Sequence, residues 1–330
     1  MRPLQRRLLL GLTIATISLP AVAPASAESI MLKVGISEPV NTVLAIWMAD
    51  TAGFYEADGI KVEIINMNGG SRGAAELAAG RIDAMHVGLS SVARLNRTGG
   101  DLRIIASLAN VIRFTFFSGS GVKTAADLKG GVVGVSSFGS ESDSTVTLAL
   151  KRLGLSRDDV TLKEYGASTR RLAAVKSGEI KATAVNEPFS SMAREQGLNV
   201  LFDLVPEQIP WLFTAIVVRR DAIAGRRDLL TRFIRATAEG NYLALSDANK
   251  AKAVLARQAG ITDPKILDIS YNDFKLLSPQ DIEPSQAAAK NILAQFPDAS
   301  QKVEDHVDGS ILDALRKDGV FTALAQKYKR

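Results

Sequence analysis

The sequence predicts an α/β protein with two lobes, each built around a mainly parallel sheet. Short segments rich in valine and isoleucine alternate with segments whose apolar residues recur at helical spacing, and this alternation is typical of βα units. The alternation runs from residue 30 to about residue 110 and starts again after a crossover near residue 112. Two separate runs favour two lobes over one long sheet, and parallel strands need helices on both faces.

The first run contains four predicted strands with helices between them. Asn41 or Thr42 is placed to cap the first helix, and Gly53 and Gly80 end the first and second helices. The predicted strands are 30–36, 60–65, 83–87 and 103–108.

The second run repeats the pattern and passes into a helical C-terminal region. Pro188 suits the first turn of a helix, so a helix is expected to start near it. Residues 221–330 are predicted to be almost wholly helical. The predicted strands are 112–117, 131–135, 161–165, 181–185, 200–204 and 212–219.

The composition excludes several kinds of chemistry. The 330-residue chain is 46% hydrophobic and 23% charged, as expected of a packed globular protein. It has no cysteine, which excludes disulfides, thiolate metal sites and a cysteine nucleophile. His86 and His306 are its only histidines, which disfavours a histidine-rich metal site or a histidine-dependent hydrolase. We therefore predict no catalytic residue, metal or cofactor.

The first 27 residues have the features of a cleavable export signal. Arg2, Arg6 and Arg7 precede an apolar run at 8–19, and small residues follow at 25–27. Twelve apolar residues span about 18 Å as a helix, too short for a hydrocarbon core of about 30 Å. Paired arginines occur in ordinary signals and in twin-arginine signals, so the export route stays open.

Charge and hydropathy outside the signal predict a protein free in an extracytoplasmic space, most simply a periplasm. Residues 1–27 hold three of the 40 basic and none of the 35 acidic residues, so their removal lowers the formal charge from +5 to +2. A near-neutral chain with scattered basic residues has no electrostatic footprint for nucleic acid. No later segment approaches 18 uncharged apolar residues, and no cysteine follows the signal to carry a lipid.

Four segments resemble a known family. They are GFYEADGIKVEI from Gly53, AAELAAGRIDA from Ala74, TAADLKGGVVGV from Thr124 and AVKSGEIKATAVNEP from Ala174. With these segments the chain resembles the periplasmic solute-binding proteins of nitrate/sulfonate/taurine-type ABC importers, a group that includes thiamine-pyrimidine binders. The resemblance covers about residues 30–220.

This resemblance implies a type II periplasmic-binding-protein fold, in which two α/β lobes joined by a two-strand hinge close on a ligand. Lobe one would hold residues 28–112 and 215–330, and lobe two would hold residues 113–214. The implied partners are a small-molecule ligand and an ABC permease of the inner membrane. The protein is expected to act as a monomer.

The candidate binding residues lie where strands end and helices begin. In open α/β sheets ligands bind beyond the carboxyl ends of the strands, where helix N-termini offer unpaired N–H groups. A serine at such a position is more often only a cap, and a glycine pair is as often only a turn. The candidates are Ser37, Glu38, Gly70, Ser71, Leu89, Ser90, Ser137, Phe138, Gly139, Ser140, Asn186 and Glu187.

Two further candidates lie at the predicted hinge. Arg113, at the first crossover, either pairs with an anionic ligand or braces the hinge. Trp211, which follows Pro210, either forms a wall of the pocket or packs in the core. Of the acids, Glu38 and Glu187 either accept an ammonium or hydroxyl group of the ligand, or Glu187 caps its own helix.

Taken together, these features predict a solute-binding protein that takes a small organic anion such as a sulfonate, taurine or a carboxylate. A thiamine-precursor pyrimidine or another heteroaromatic is the alternative ligand, and a ligand-presenting sensor is the alternative role. An enzyme is disfavoured, because relatives that make a thiamine pyrimidine from their own histidine have a cysteine-rich site that this chain lacks. The serine-rich loop at 136–140 also lacks the G-x-S-x-G elbow of serine hydrolases.

Overall fold

The computed structural model describes residues 29–296 and 301–330. The predicted export signal, residues 1–27, lies outside the described residues. Within the two described ranges, no helix combines the length and the apolar character needed to cross a bilayer.

The first of two five-stranded sheets combines strands from distant parts of the chain. It contains β1 (Ile30–Ile36), β2 (Ile60–Asn66), β3 (Ala84–Val87), β4 (Leu102–Val111) and β10 (Pro210–Arg219). The strand order is β2-β1-β3-β10-β4. β1 runs parallel to β2 and β3, whereas β10 is inserted antiparallel between β3 and β4.

The second sheet has the same plan. It contains β5 (Thr115–Ser118), β6 (Val132–Val135), β7 (Thr161–Glu164), β8 (Ala182–Val185) and β9 (Asn199–Asp203). The order is β7-β6-β8-β5-β9, with β6 parallel to β7 and β8, and β5 antiparallel to β8 and β9. We call the half of the molecule on the first sheet lobe one and the half on the second sheet lobe two.

Helices cover the sheets and form the C-terminal region. The helices near the first sheet are α1 (Leu44–Thr51), α2 (Phe54–Ala57), α3 (Gly70–Ala78) and α4 (Leu89–Arg97). Those of lobe two are α5 (Ala125–Leu128), α6 (Glu141–Arg152), α7 (Ser168–Ser177) and α8 (Phe189–Glu195). The C-terminal helices are α9 (Arg220–Gly225), α10 (Arg227–Ser246), α11 (Ala248–Ala259), α12 (Pro264–Leu277), α13 (Gln286–Leu293), α14 (Ser310–Lys317) and α15 (Val320–Lys327).

The crossover between the lobes differs from the prediction. Residues 112–114 were expected in a strand, but β5 begins only at Thr115 because these residues cross from one sheet to the other. There they pair with the returning chain: the amide of Ile112 donates to the carbonyl of Ile209 over 3.1 Å, and that of Leu204 to Phe114 over 3.1 Å. Trp211, expected in a loop, lies in β10, which begins at Pro210.

The core of lobe one depends on close packing of α1 against α10. Both helices bury large side chains, including Trp47 and Phe233. Their backbones approach closely at Gly240, where an added Cβ would lie 2.4 Å from the carbonyl oxygen of Ala45 and 2.7 Å from the nitrogen of Ala49. Backbone atoms cannot move aside as a flexible side chain does, so this helix pair needs glycine at position 240.

We expect Gly240→Ala to destabilise the protein by about 1–3 kcal/mol, because the methyl group forces α10 away from α1. Chemical denaturation measures the effect as a lower free energy of unfolding. Gly225→Ala is the matched control, since a Cβ there meets nothing within 4 Å. Equal stabilities of the two variants would contradict the packing described.

Candidate functional site

A cavity of about 60 Å³ lies between the lobes, at the carboxyl ends of the parallel strands of both sheets. The crossover contributes Phe114, and β10 contributes Phe213 and Thr214. The strand ends and the helices that follow them contribute Ser37, Glu38, Val40, Gly69, Gly70, His86, Val87, Gly88, Ser136, Ser140, Glu141, Ser142, Arg171 and Asn186. This is the place where open α/β sheets bind ligands.

The predicted site residues do not all lie at this cavity. Phe138 is 47% exposed, Trp211 is buried beside the cavity, and Arg113 and Glu187 line a different cavity. Those that line the cleft cavity are Ser37, Glu38, Gly70, Ser140 and Asn186. Next to its lining residues in the chain lie Ser71, Leu89, Ser137 and Gly139. Ser90 lies two positions beyond the lining residue Gly88 and bonds to the lining residue Glu141.

Sequence reasoning missed Glu141, which crosses the cleft from lobe two to lobe one. Its carboxylate accepts hydrogen bonds from the amide of Ser90 at 2.8 Å and from the Ser90 hydroxyl at 2.9 Å. It also accepts one from the Trp211 indole Nε1 at 2.6 Å. A Cβ on Gly88 would lie 2.2 Å from Glu141 Oε1, so the carboxylate reaches Ser90 only because residue 88 is glycine.

Glu38 crosses the cleft in the opposite direction, from lobe one to lobe two. One of its oxygens accepts from the amide of Ser168 at 3.1 Å, and the other accepts from the Ser168 hydroxyl at 2.5 Å. Arg171 adds a bond to the same carboxylate at 3.2 Å. Each lobe therefore places a carboxylate at the N-terminus of a helix of the other lobe, where the helix dipole favours negative charge.

Other backbone amides at the predicted strand-to-helix junctions also donate hydrogen bonds to carboxylates of the protein. The amide of Phe138 donates to Glu164 at 2.5 Å, and that of Gly139 donates to Asp143 at 2.7 Å. The Ser136, Ser140 and Ser142 hydroxyls bond to one another, each pair at 3.0 Å. The amides at these helix starts are thus largely engaged within the protein.

Arg171, the cation in the cavity wall, is fully engaged as well. It is 2% exposed, and a guanidinium has five N–H donors. Five acceptors surround it at 2.5–3.2 Å. They are Gly166 O, Thr183 Oγ1, Ala184 O, Glu38 Oε1 and Ser168 Oγ. No N–H group of Arg171 is left for a ligand.

Several buried polar atoms around the cavity have no hydrogen-bond partner within the described part of the chain. In the wall these are His86 Nδ1 and Thr214 Oγ1. Ser91 Oγ and Ser137 Oγ, equally unpaired, face Gly70 and Gly69, and Ser71 Oγ lies at the start of α3. Burial lowers the pKa of His86 to about 4, so its imidazole is neutral at neutral pH. Unpaired buried polar groups are costly, which makes these atoms candidates for contact with a ligand.

Comparison with known proteins identifies the family. The family model for NMT1/THI5-like proteins matches residues 41–251, nearly two thirds of the chain. The chain belongs to the NMT1/THI5-like family. The riboflavin-binding protein RibY of Chloroflexus aurantiacus is 28% identical over 214 residues. That match covers 62% of this chain and 59% of RibY, so the chain spans less than two thirds of that relative's length.

Solved structures share the fold of this NMT1/THI5-like protein. A Bordetella bronchiseptica protein superposes with a TM-score of 0.78 at 20% identity, over 92% of this chain and 99% of that one. The nitrate-binding protein NrtA of Synechocystis gives 0.70 at 17% identity, over 91% and 89% of the two chains. The alkanesulfonate-binding protein SsuA of Xanthomonas axonopodis, bound to MOPS, gives 0.69 at 19% identity, over 82% and 92%.

These comparisons confirm the predicted resemblance and the predicted fold class. The fold of this NMT1/THI5-like protein is that of periplasmic solute-binding proteins. At less than 25% identity, the structural likenesses show the fold alone.

Glu141 should make the stability of this NMT1/THI5-like protein depend on pH. Burial raises the pKa of the Glu141 carboxyl from 4.5 to about 7, against the lowering effect of its bonds from Trp211 and Ser90. Between these values the folded protein binds more protons at this site than the unfolded chain, so the contribution of Glu141 falls as pH rises. The free energy of unfolding of the wild type minus that of Glu141→Gln should decrease by about 1–3 kcal/mol from pH 5 to pH 8.

Chemical denaturation at each pH measures this difference. Glu38, His86 and Arg171 also line the cavity, but they are present in both proteins, so their titration largely cancels. A difference that stays constant or grows with pH would contradict the burial of Glu141.

Proposed function

We propose that this protein is the extracytoplasmic solute-binding component of an ABC importer and that its ligand is a small heteroaromatic molecule with N–H donor groups. The ligand binds between the lobes, and the closed protein delivers it to a permease of the membrane. Export by the N-terminal signal and action as a monomer in a periplasm are part of the proposal. Binding needs no covalent chemistry.

We infer the ligand class from which hydrogen-bond donors and acceptors of the cavity are free. A sulfonate or carboxylate is held most strongly by charge-assisted bonds from free N–H donors or a free cation, and neutral hydroxyls donate weaker bonds. Here the donors of Arg171 and the amides of Ser90 and Ser168 already bond to protein acceptors. The cavity also holds Glu38 and Glu141 beside its single cation, Arg171, so no net positive charge is left to attract an anion while His86 is neutral. These features disfavour the anion that the sequence suggested.

The same cavity suits a planar ring with a polar edge. Phe114 and Phe213 lie edge to face, with ring centroids 5.2 Å apart and planes at 78°, and both line the cavity. Such rings offer an apolar surface to an aromatic ligand. The unpaired hydroxyls and the carboxylates accept hydrogen bonds from amino or ring N–H groups, and Nδ1 of His86 does so in the tautomer that carries its proton on Nε2. A likeness to a protein named for riboflavin binding supports this ligand class.

Binding must be coupled to movement of the lobes. A cavity of about 60 Å³ is well below the usual 300–1,000 Å³ of pockets for larger ligands. A ligand therefore enters when the lobes separate, which breaks the bonds of Glu141 to Ser90 and of Glu38 to Ser168. A ligand that bonds to both lobes then favours the closed form, by as much as its affinity for the closed form exceeds that for the open form.

A thermal-shift screen tests the ligand class. Because a bound ligand raises the melting temperature by mass action, aminopyrimidines, lumichrome and riboflavin are tested at equal concentrations with taurine, methanesulfonate and nitrate. We expect at least one heteroaromatic compound to raise the melting temperature and the anions to leave it unchanged.

The site is then checked with Ser91→Ala, which removes an unpaired hydroxyl facing Gly70, and with Ser246→Ala, a control far from the cleft in α10. Ser91→Ala should weaken binding of the heteroaromatic compound and Ser246→Ala should not. Stabilisation by a sulfonate or nitrate, with no effect of any heteroaromatic compound, would overturn the proposed ligand class.

A further inference from the structure

A second cavity, of about 390 Å³, lies between the lobes beside the first crossover. One wall is a face of α12, and the other is formed by α8, β9 and residues 113 and 115. We call it the hinge groove. It adjoins the cleft cavity along the chain, because Arg113 and Glu187 line the groove while their neighbours Phe114 and Asn186 line the cleft.

Glu187 is the group in the groove that the rest of the protein leaves incomplete. Glu187 is buried, with only 9% of its surface exposed. Oε1 accepts hydrogen bonds from the hydroxyls of Ser190 and Ser191, whereas Oε2 has no partner among the described residues. A buried carboxylate oxygen without a donor is expensive, since it has lost water and gained nothing in return.

The other charges of the groove are matched in pairs. Arg113 bonds to Asp273 through Nε at 2.7 Å, and Asp273 also accepts from Asn41 at 2.9 Å. Arg194 pairs with Asp203 at 3.1 Å. Two arginines therefore balance two aspartates, and the charge of Glu187 is left over. Burial and the nearby Asp273 raise the pKa of Glu187 although Ser190, Ser191 and Arg194 lower it, as expected where a compensating cation is missing.

Apolar side chains lie at the same groove. Ile269 and Leu276 are 40% and 75% exposed, and both line it with Asn272 and Asp273. Spacings of three, four and seven residues place these four on one face of α12. An exposed leucine and isoleucine beside an unpaired carboxylate match a ligand with an aliphatic stem and a positively charged head.

We propose that the hinge groove binds a small organic cation, with an ammonium or guanidinium group at Glu187 and an aliphatic stem against Ile269 and Leu276. Glu187 Oε2 is buried, so the head reaches it only when the walls of the groove move apart. Because α12 belongs to lobe one and α8 to lobe two, occupation of the groove depends on the arrangement of the lobes. Cation binding is therefore coupled to ligand binding in the cleft, and the coupling is reciprocal.

Titration of the ¹⁵N-labelled mature protein with n-butylammonium chloride, followed by NMR, tests the site. n-Butanol has the same stem without the charge and is the control ligand. We expect saturable shifts in the amides of α8 and α12 with butylammonium and much weaker binding of butanol. Glu187→Gln should weaken butylammonium binding about tenfold or more, as expected for loss of a charged hydrogen-bond acceptor. Glu195→Gln, which removes the same charge from the exposed end of α8, should leave it unchanged.

Leu276→Ser changes an exposed side chain, so it tests the apolar contact without disturbing the core, and it should weaken binding severalfold. The proposal is overturned if butylammonium does not bind, if butanol binds equally well, or if Glu187→Gln and Glu195→Gln act alike. The titration measures the shifts at α8 and α12 without a ligand in the cleft. If butylammonium does not bind, the proposal of a heteroaromatic cleft ligand is unaffected. If no heteroaromatic compound binds in the thermal-shift screen, the proposal of a cation site in the hinge groove is unaffected.

Discussion

Two buried carboxylates that cross the cleft in opposite directions hold the two lobes in the observed arrangement. Glu141 bonds to Ser90 and Glu38 bonds to Ser168, so the helix N-terminus that each lobe turns to the cleft is completed by the other lobe. Buried charges are costly unless they are well bonded, and removal of one partner costs more than the pair contributes. The closed form therefore depends on both contacts at once, and separation of the lobes exposes both carboxylates to water.

The same contacts determine which hydrogen-bonding groups of the cleft stay free. Helix N-termini attract anions, but here the protein supplies the anions itself and leaves hydroxyls, a neutral imidazole and two phenylalanine rings for the ligand. A few residues at the strand ends determine which hydrogen-bond donors of the cleft are free. Two proteins of this fold can therefore differ in ligand class although their strands and helices coincide. The fold alone does not carry the choice between a sulfonate and a heteroaromatic ring.

The alternation of strand and helix signals was enough to predict two α/β halves, and the structure has a cavity at the strand ends where the sequence predicted a binding site. Ser37, Gly70 and Asn186 line the cleft for the reason given from sequence, since parallel strands bring their carboxyl ends to one edge.

The partners across the cleft could not be predicted. Glu141 meets Trp211 from 70 positions away, and Glu38 meets Ser168 from 130 positions away, so no local pattern connects them. The direction of the Arg113 side chain was equally hidden. It lies next to Phe114 in the chain but faces α12 and pairs with Asp273. The insertion of β10 between β3 and β4 likewise depends on the path of the returning chain, which local sequence does not encode.

The most direct test is small-angle X-ray scattering of the ligand-free protein with Glu38→Ala and Glu141→Ala combined. Glu63→Ala with Glu195→Ala is the matched control, since both residues are exposed. Our account predicts a larger radius of gyration for the cleft variant than for the wild type and the control, because the lobes lose the bonds that join them. A radius equal to that of the wild type, in a variant that remains folded, would show that these carboxylates do not hold the lobes together.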